Sequence, residues 1–237
     1  MVEGKSISIH RNSGYIKFGV DVENKKPGVW AGVNDRGVAV LGADGNCMLD
    51  FQGEDYGGGE KTWEAYEIVL SKAGSLEEAY KLIIDFYTAH KIGGSGDIVL
   101  ITDRSKAVVL EYSLNQWGIQ FIINQPYVLR TNFFVSLRHL RPTPEENSLH
   151  LSSAKRYERA IELLSKTTYN TSLQDIKNLC RDHRNGTSSF SICRHGGGEE
   201  YKTCCSVIFE VGSRNILAHY IINEFPCNKE YTILELK

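Results

Sequence analysis

The order of strand-forming and helix-forming segments constrains the fold of this chain more than any other feature. Short runs rich in Val, Ile and aromatic residues, bounded by Gly, Asn and Asp, predict strands, whereas longer runs with apolar residues at helical spacing predict helices. The predicted strands cover residues 6–10, 15–20, 28–32, 38–41, 97–102, 107–112, 117–123, 127–131, 203–211, 215–222 and 231–236. The predicted helices cover residues 62–72, 76–90, 153–166 and 173–183. The chain thus alternates three groups of strands with two pairs of helices.

This alternation predicts an α+β fold, because adjacent hairpins form antiparallel sheets and each helix pair must cover an apolar sheet face. The economical solution is a four-layer αββα sandwich of two antiparallel sheets. Turn residues at 12–14 (NSG) and 34–37 (NDRG) favour tight hairpins. The 237 residues are expected to form a single domain, 1–237, with loops at 42–60 and 138–150 available to line a pocket.

Charge and hydropathy exclude several classes of partner. The formal net charge is -2, and Lys and Arg are spread along the chain, which is not the pattern of a nucleic-acid or anionic-membrane binder. No apolar run reaches the roughly 18 residues of a membrane helix, and the first residues lack the apolar stretch of a secretory signal. We therefore expect a cytoplasmic protein with small or neutral partners.

The cysteines are expected to be free thiols in a reducing compartment. There are six of them, with no C-x-x-C pair and no paired His spacing around them: Cys47, Cys180, Cys193, Cys204, Cys205 and Cys227. No group of His, Cys and carboxylates has metal-ligand spacing in the sequence, so neither a metal nor an organic cofactor is predicted.

The segment GVWAGVNDRGVAV at 28–40 resembles the G-x-N-x-x-G-(V/L)-A hairpin of the acyl-coenzyme A:isopenicillin-N acyltransferase family of N-terminal-nucleophile hydrolases. LRTNF at 129–133 and SFSICR at 189–194 resemble the family's T-N-H and S-I-C-R elements, in the right order and at similar spacing. Further similarity covers nearly the whole chain, at 97–103, 109–112, 153–159 and 203–209. The resemblance implies the same four-layer fold.

By motif position, the resemblance assigns the candidate catalytic residues Asn132 and Arg194. In the family, the Asn of T-N-H helps to bind the oxyanion, and the Arg of S-I-C-R lies close to the catalytic centre; both roles suit amide and guanidinium chemistry. Two other interpretations remain open, since Asn132 could satisfy backbone groups at a strand end and Arg194 could be a structural ion-pair partner. Phe133 stands where the family often has His.

The resemblance also implies a nucleophile that this sequence does not display. The family uses a Cys, Ser or Thr exposed as the first residue, with its own α-amine as general base. Here Met1 is followed by Val2, and the strand that carries the nucleophile is expected to be missing. A short homologue without catalysis, an incomplete gene product, and a separate polypeptide that supplies the strand are the three explanations. Ser6, Cys47 and Cys193 are weaker substitutes.

The predicted function is that of an amide-bond hydrolase or acyltransferase, acting on a small acyl-amide through a Cys nucleophile and oxyanion stabilisation. The alternative is a catalytically inactive homologue that serves in binding or assembly. The expected partners are a small-molecule substrate and, through an exposed sheet edge, a second copy of the chain or a separate chain that supplies the missing strand. No nucleic-acid or membrane partner is expected.

Overall fold

The computed structural model describes residues 5–22, 28–45, 58–90, 92, 96–113, 115–141, 148–167, 171–196 and 202–236. The strands within this part of the chain are β1 Lys5–Asn12, β2 Tyr15–Val22, β3 Ala31–Asn34, β4 Ala39–Asp44, β5 Asp97–Thr102, β6 Ala107–Ser113, β7 Gln116–Ile122, β8 Cys205–Val211, β9 Ile216–Ile222 and β10 Thr232–Leu236. The α-helices are α1 Gly58–Lys72, α2 Leu76–His90, α3 Ser148–Leu164 and α4 Leu173–Cys180.

The first seven strands form one antiparallel sheet in which spatial order equals chain order. Gly14 and Gly37 have φ values of 99° and 87° in the turns that join β1 to β2 and β3 to β4. These conformations are open to glycine at little cost, so the two predicted hairpins are confirmed. The β4–β5 connection instead contains both α1 and α2.

The predicted strand at 127–131 is wrong. Residues 123–137 have no regular secondary structure, although they are rich in residues that favour strands. Pro126 cannot donate to a strand ladder, and the backbone N–H groups of residues 135–137 bind the side chain of Glu111 rather than another strand. Tertiary contacts therefore override the local strand preference of this segment.

The two helices α1 and α2 cover one face of the seven-stranded sheet. Alternate residues of β4, β5 and β6 point toward them, as the two-residue period of a strand requires. The resulting buried cluster includes Val40, Val99, Ile101, Val108 and Leu110 from the strands and Val69, Leu70, Leu76, Ile83 and Tyr87 from the helices. Burial of each large side chain contributes roughly 1.5–3 kcal/mol, so this layer accounts for much of the core.

The opposite face of the same sheet packs against a second antiparallel sheet of three strands in the order β10-β9-β8. The interface buries Ile16, Phe18, Ala31, Val33 and Ala39 from the large sheet and Ile216, Ala218 and Leu236 from the small one. Just before β10, Lys177 of α4 lies over the ring of Tyr231, 5.3 Å from its centroid.

The predicted α+β fold with a four-layer αββα sandwich is therefore confirmed. Ser172 and Asp175 form a capping box at the N-terminus of α4. Among the described helices, none combines the length and apolarity needed to cross a membrane.

Candidate active site

The buried carboxylate of Glu111 holds the irregular loop that follows β7. Oε2 of Glu111 accepts hydrogen bonds from the backbone N–H groups of Val135, Ser136 and Leu137 at 2.9, 2.7 and 3.0 Å. Oε1 accepts a hydrogen bond from Nε of Arg130 at 2.9 Å. A buried carboxylate is stable only when its oxygens are satisfied in this way. The side chain of Glu111, from β6, thus determines where residues 130–137 lie.

Phe134 fixes the same loop against the ends of β4 and β5. Its ring packs on Gly45 and Gly96, whose backbones are joined by a hydrogen bond of 3.0 Å from N of Gly45 to O of Gly96. A Cβ atom would lie 2.8 Å from the Phe134 ring at Gly45 and 2.4 Å from it at Gly96. Any larger residue would therefore push the loop away from the sheet.

Asn132 lies in this loop, and both polar atoms of its amide are engaged. Nδ2 donates to the carbonyl of Asp44, at the end of β4, at 3.0 Å. Oδ1 accepts a hydrogen bond from Nη2 of Arg156 at 3.1 Å. These two bonds fix which end of the amide faces which neighbour.

Arg156 comes from α3 and connects Asn132 to Arg194. Its Nη2 also donates to Oγ of Ser153, one turn earlier on the helix, at 3.0 Å. Burial and then the positive charge of Arg194 lower the pKa of Arg156 to about 10. The positive charge of Arg194 thus acts on a partly buried guanidinium group, and such an environment favours the approach of an anion.

Arg194 belongs to the segment that leads from α4 to β8. Its backbone N–H donates to Oγ1 of Thr203 at 2.9 Å, and its carbonyl accepts from the N–H of Thr203 at 2.9 Å.

Cys204 directly follows Thr203 in the chain. A hydrogen bond with Cys205 lowers the pKa of the Cys204 thiol to about 6, and the charge of Arg194 acts in the same direction. The interaction with Cys205 and the charge of Arg194 thus both favour the thiolate form of Cys204.

A buried carboxyl group lies next to the strand end that Asn132 contacts. Asp97 on β5 pairs with Asp44 across the sheet, and its Oδ2 accepts hydrogen bonds from the hydroxyls of Tyr66, at 2.7 Å, and Tyr87. Burial raises the pKa of Asp97 to about 6, and burial also raises the pKa of Asp44. This end of the sheet thus favours neutral carboxyl groups.

A second group of polar side chains lies beside the Arg194 segment. The ligand atoms of His183, Cys193, His195 and Cys227 all lie within 4.8 Å of one another. No such group was expected, because in sequence only Cys193 and His195 are near neighbours. These are the described residues that could hold a metal ion.

The structure locates the other sequence candidates as follows. Ser6 lies on β1, and its hydroxyl donates to Oδ2 of Asp21 at 3.5 Å. Cys193 is buried, and burial raises the pKa of its thiol to about 12. Cys47 lies outside the described residues, as do most of the loop at 42–60 and residues 142–147 of the loop at 138–150.

Sequence reasoning missed the two residues that organise the site. Glu111 and Arg156 stand inside motifs that carry the family resemblance, at 109–112 and 153–159, but no local pattern marks a Glu in a strand or an Arg on a helix as a positioning residue. Their roles depend on contacts with residues 19 and 24 positions away in the chain.

Comparisons with known proteins agree with the fold. The family model for acyl-coenzyme A:6-aminopenicillanic acid acyl-transferase matches residues 2–218. A mutant of conjugated bile acid hydrolase from Clostridium perfringens has a TM-score of 0.57 and 13% identity, with 100% of this chain and 85% of that chain covered. A second variant of that hydrolase has a TM-score of 0.51 and 13% identity, covering 100% and 90%. Penicillin V acylase from Agrobacterium tumefaciens has a TM-score of 0.48 and 12% identity, covering 92% and 75%. At 13% identity, the likeness to the two bile acid hydrolase structures shows a shared fold. By sequence, no curated protein matches the chain.

Proposed function

The chain belongs to the acyl-coenzyme A:6-aminopenicillanic acid acyl-transferase family, and from this premise we propose that it cleaves or transfers the acyl group of a small acyl-amide. Asn132 and Arg194 are the proposed catalytic residues, and a cysteine thiolate is the proposed nucleophile. Hydrolysis and acyl transfer share the first half of the reaction and differ only in whether water or an amine resolves the acyl-enzyme.

The observation that carries this proposal is the connection between Asn132 and Arg194 through Arg156. Arg156 donates to Oδ1 of Asn132 at 3.1 Å, and the charge of Arg194 acts on the same guanidinium. Asn132 therefore lies beside a guanidinium group that is influenced by a second positive charge. A tetrahedral oxyanion or a substrate carboxylate is the natural complement of such a site.

In the proposed reaction, the thiolate attacks the amide carbonyl carbon and a C–S bond forms while the carbonyl π electrons move to oxygen. Asn132 and the nearby guanidinium charge stabilise that oxyanion. A carboxamide nitrogen has two hydrogens, so its bond to the Asp44 carbonyl is compatible with a bond to the oxyanion. The C–N bond then breaks, the amine leaves after taking a proton from water, and water or an acceptor amine releases the acyl group.

Among the described cysteines, Cys204 has the environment that this reaction needs. It adjoins Arg194 through Thr203, and its thiol is acidified mainly by Cys205. A thiolate next to a cation and within reach of solvent is the reactive form of cysteine. Cys193, which precedes Arg194 in the sequence, is buried, and burial raises the pKa of its thiol.

The paired guanidinium groups favour a substrate that carries a carboxylate near the scissile amide. N-acyl amino acids, penicillins and glycine-conjugated bile acids all have this combination and form a suitable assay panel. Arginine binds a carboxylate through two parallel hydrogen bonds, which orients the substrate as well as attracting it. We expect neutral amides of the same acyl chain to react more slowly.

Incubation of the full chain with this panel, with the released amine measured, tests the proposal. A cysteine-directed β-lactone probe followed by peptide mapping identifies the nucleophile. We expect Cys204→Ser to lose both turnover and labelling, and Cys180→Ser, at the end of α4, to keep both. Labelling of another cysteine would assign the nucleophile to that residue and would leave the proposed activity unchanged. No turnover and no labelling would favour the inactive binding or assembly homologue.

Self-association and a cytoplasmic location both stay predictions for this chain. Self-association was expected from the sheet edge next to the missing first strand, and β1 is an edge strand of the seven-stranded sheet in the described part of the chain. Sedimentation of the full chain at several concentrations would detect a dimer. A cytoplasmic location likewise stays a prediction, which fractionation of the source cells would check.

A further inference from the structure

The side chains of His183, Cys193, His195 and Cys227 converge on one point although they come from three separate parts of the chain. His183 follows α4, Cys193 and His195 precede β8, and Cys227 lies in the β9–β10 connection. The imidazole Nε2 atoms of His183 and His195 are 2.9 Å apart. The Sγ atoms of Cys227 and Cys193 lie 3.2 and 3.8 Å from Nε2 of His195.

From this arrangement we propose that the chain binds one Zn²⁺ ion through Nε2 of His183, Sγ of Cys193, Nε2 of His195 and Sγ of Cys227. Zn–N bonds of about 2.1 Å and Zn–S bonds of about 2.3 Å put the ligand atoms of a tetrahedral site roughly 3.3–3.8 Å apart. All four atoms here lie within 4.8 Å of one another, so side-chain adjustments of less than about 1 Å complete the geometry.

The donor set selects the metal. Two thiolates and two imidazoles in a tetrahedral arrangement suit Zn²⁺, whereas Mg²⁺ and Ca²⁺ prefer oxygen ligands. With all four positions supplied by protein, no position is left for water. Such closed sites are structural, so the proposed ion holds chain segments together and does not itself react.

The surrounding contacts already hold the ligands in place. The His195 ring stacks on Phe225 with centroids 4.0 Å apart and an interplanar angle of 6°. The backbone N–H of Cys193 donates to the carbonyl of Asp182 at 3.1 Å. Nε of Arg181 donates to the carbonyl of Pro226, next to Cys227, at 2.9 Å. Neighbours that fix ligand orientation in this way are typical of metal sites.

The ion would also restrain Arg194, which stands between the ligands Cys193 and His195 in the chain. The proposed site links this segment to the β9–β10 connection by bonds rather than by packing alone. Metal binding and acyl transfer are separate properties, so the test of the site is metal content and does not depend on finding a substrate.

The test uses the full chain without a histidine tag, purified under reducing conditions without chelators. We expect plasma mass spectrometry to find about one zinc ion per chain, and His183→Ala and Cys227→Ser to retain less than about a tenth of that amount. Cys180→Ser and His139→Ala, which change a cysteine and an exposed histidine elsewhere, should keep the wild-type content. Circular dichroism would check that each variant is folded.

A second measurement uses only the wild-type chain, so its outcome does not depend on whether the variants fold. After removal of zinc with a chelator, added Co²⁺ should produce thiolate charge-transfer bands and the strong visible bands of tetrahedral cobalt, and Zn²⁺ should abolish them. The proposal is overturned if the wild-type chain retains no zinc after saturation and gel filtration. A Cys193–Cys227 disulfide in the reduced preparation, or zinc loss in Cys180→Ser equal to that in Cys227→Ser, would overturn it as well.

Discussion

Nε of Arg130 donates a hydrogen bond of 2.9 Å to the carboxylate of Glu111, and the side chains of the two residues are 9% and 0% exposed. This ion pair joins β6 to the irregular loop that carries Asn132. Because the same carboxylate also binds three backbone N–H groups, loss of the charge would release the loop as a whole. The position of Asn132 thus depends on a residue that lies outside its own loop, on strand β6.

Replacement of Glu111 should strongly destabilise the protein. In Glu111→Ala, the buried Arg130 guanidinium and three backbone donors lose their acceptor, and we expect the free energy of unfolding to fall by about 3–5 kcal/mol. Urea denaturation would measure this loss. Glu77→Gln is the matched control, since it breaks an ion pair with Lys106 in which both side chains are exposed; little change is expected there. Equal effects of the two substitutions would contradict the role given to Glu111.

Asp97 should make stability depend on pH in the neutral to mildly acidic range. Its folded-state pKa is about 6, above the ordinary 3.8, so the folded protein binds the proton more tightly than the unfolded chain. The stability that this proton binding contributes is fully present below pH 4 and is lost as the pH rises through 6. The loss amounts to about 3 kcal/mol.

Thermal melts between pH 4 and pH 8 would check this dependence. Asp97→Asn keeps an oxygen acceptor for Tyr66 and Tyr87 but cannot ionise, so its stability should not show the fall seen in the wild type. Asp103→Asn, which removes a half-buried carboxyl whose pKa is lowered by backbone N–H groups, should keep the fall. An unchanged profile in Asp97→Asn would rule out Asp97 as the titrating group.

Cys204 should react with alkylating agents faster than Cys205. The hydrogen bond between them lowers the pKa of Cys204 and raises the pKa of Cys205, and the thiolate is the reacting form. Iodoacetamide labelling with peptide mass mapping should give a rate for Cys204 that rises with pH and levels off near 7. In Cys205→Ala, the rise should move to higher pH. Preferential labelling of Cys205 in the wild type would contradict the assignment.

Asn132→Ala should lower kcat of the proposed reaction by about 100- to 1000-fold, because an oxyanion donor acts mainly in the transition state. KM should change little. Steady-state kinetics with the best substrate of the panel would measure both constants. Asn178→Ala, on α4, removes an amide that bonds to Gln174 and should leave both constants unchanged. A large rise in KM with unchanged kcat would instead indicate a substrate-binding role.

Arg156→Met should lower kcat/KM for substrates that carry a carboxylate more than it lowers kcat/KM for neutral amides. Methionine retains much of the packing volume of the arginine stem but removes one of the two guanidinium charges at the site. The ratio of kcat/KM for a charged and a neutral amide of the same acyl chain is the appropriate measurement. A proportional loss for both substrates would show that Arg156 acts only by positioning Asn132.

The accuracy of the sequence prediction differs between parts of the chain. Hairpins with turn glycines at Gly14 and Gly37 were predictable, because φ preferences act within a few residues. The segment at 127–131 was not, since its strand-forming residues have no ladder partner and its loop is held by Glu111 from another strand. Asn132 and Arg194 were found only through motif resemblance, and Arg156, which connects them, carries no local signal.

The sequence by itself determined the order of strands and helices, the helix cap at Ser172 and the α+β class, because these depend on local backbone preferences and on apolar spacing. Only the tertiary structure decided which distant side chains meet. Residues 183, 193, 195 and 227 converge because α4 and the β9–β10 connection pack against the same segment, and sequence separation contains no information on such packing. The same reason applies to the contact of Arg156 with Asn132.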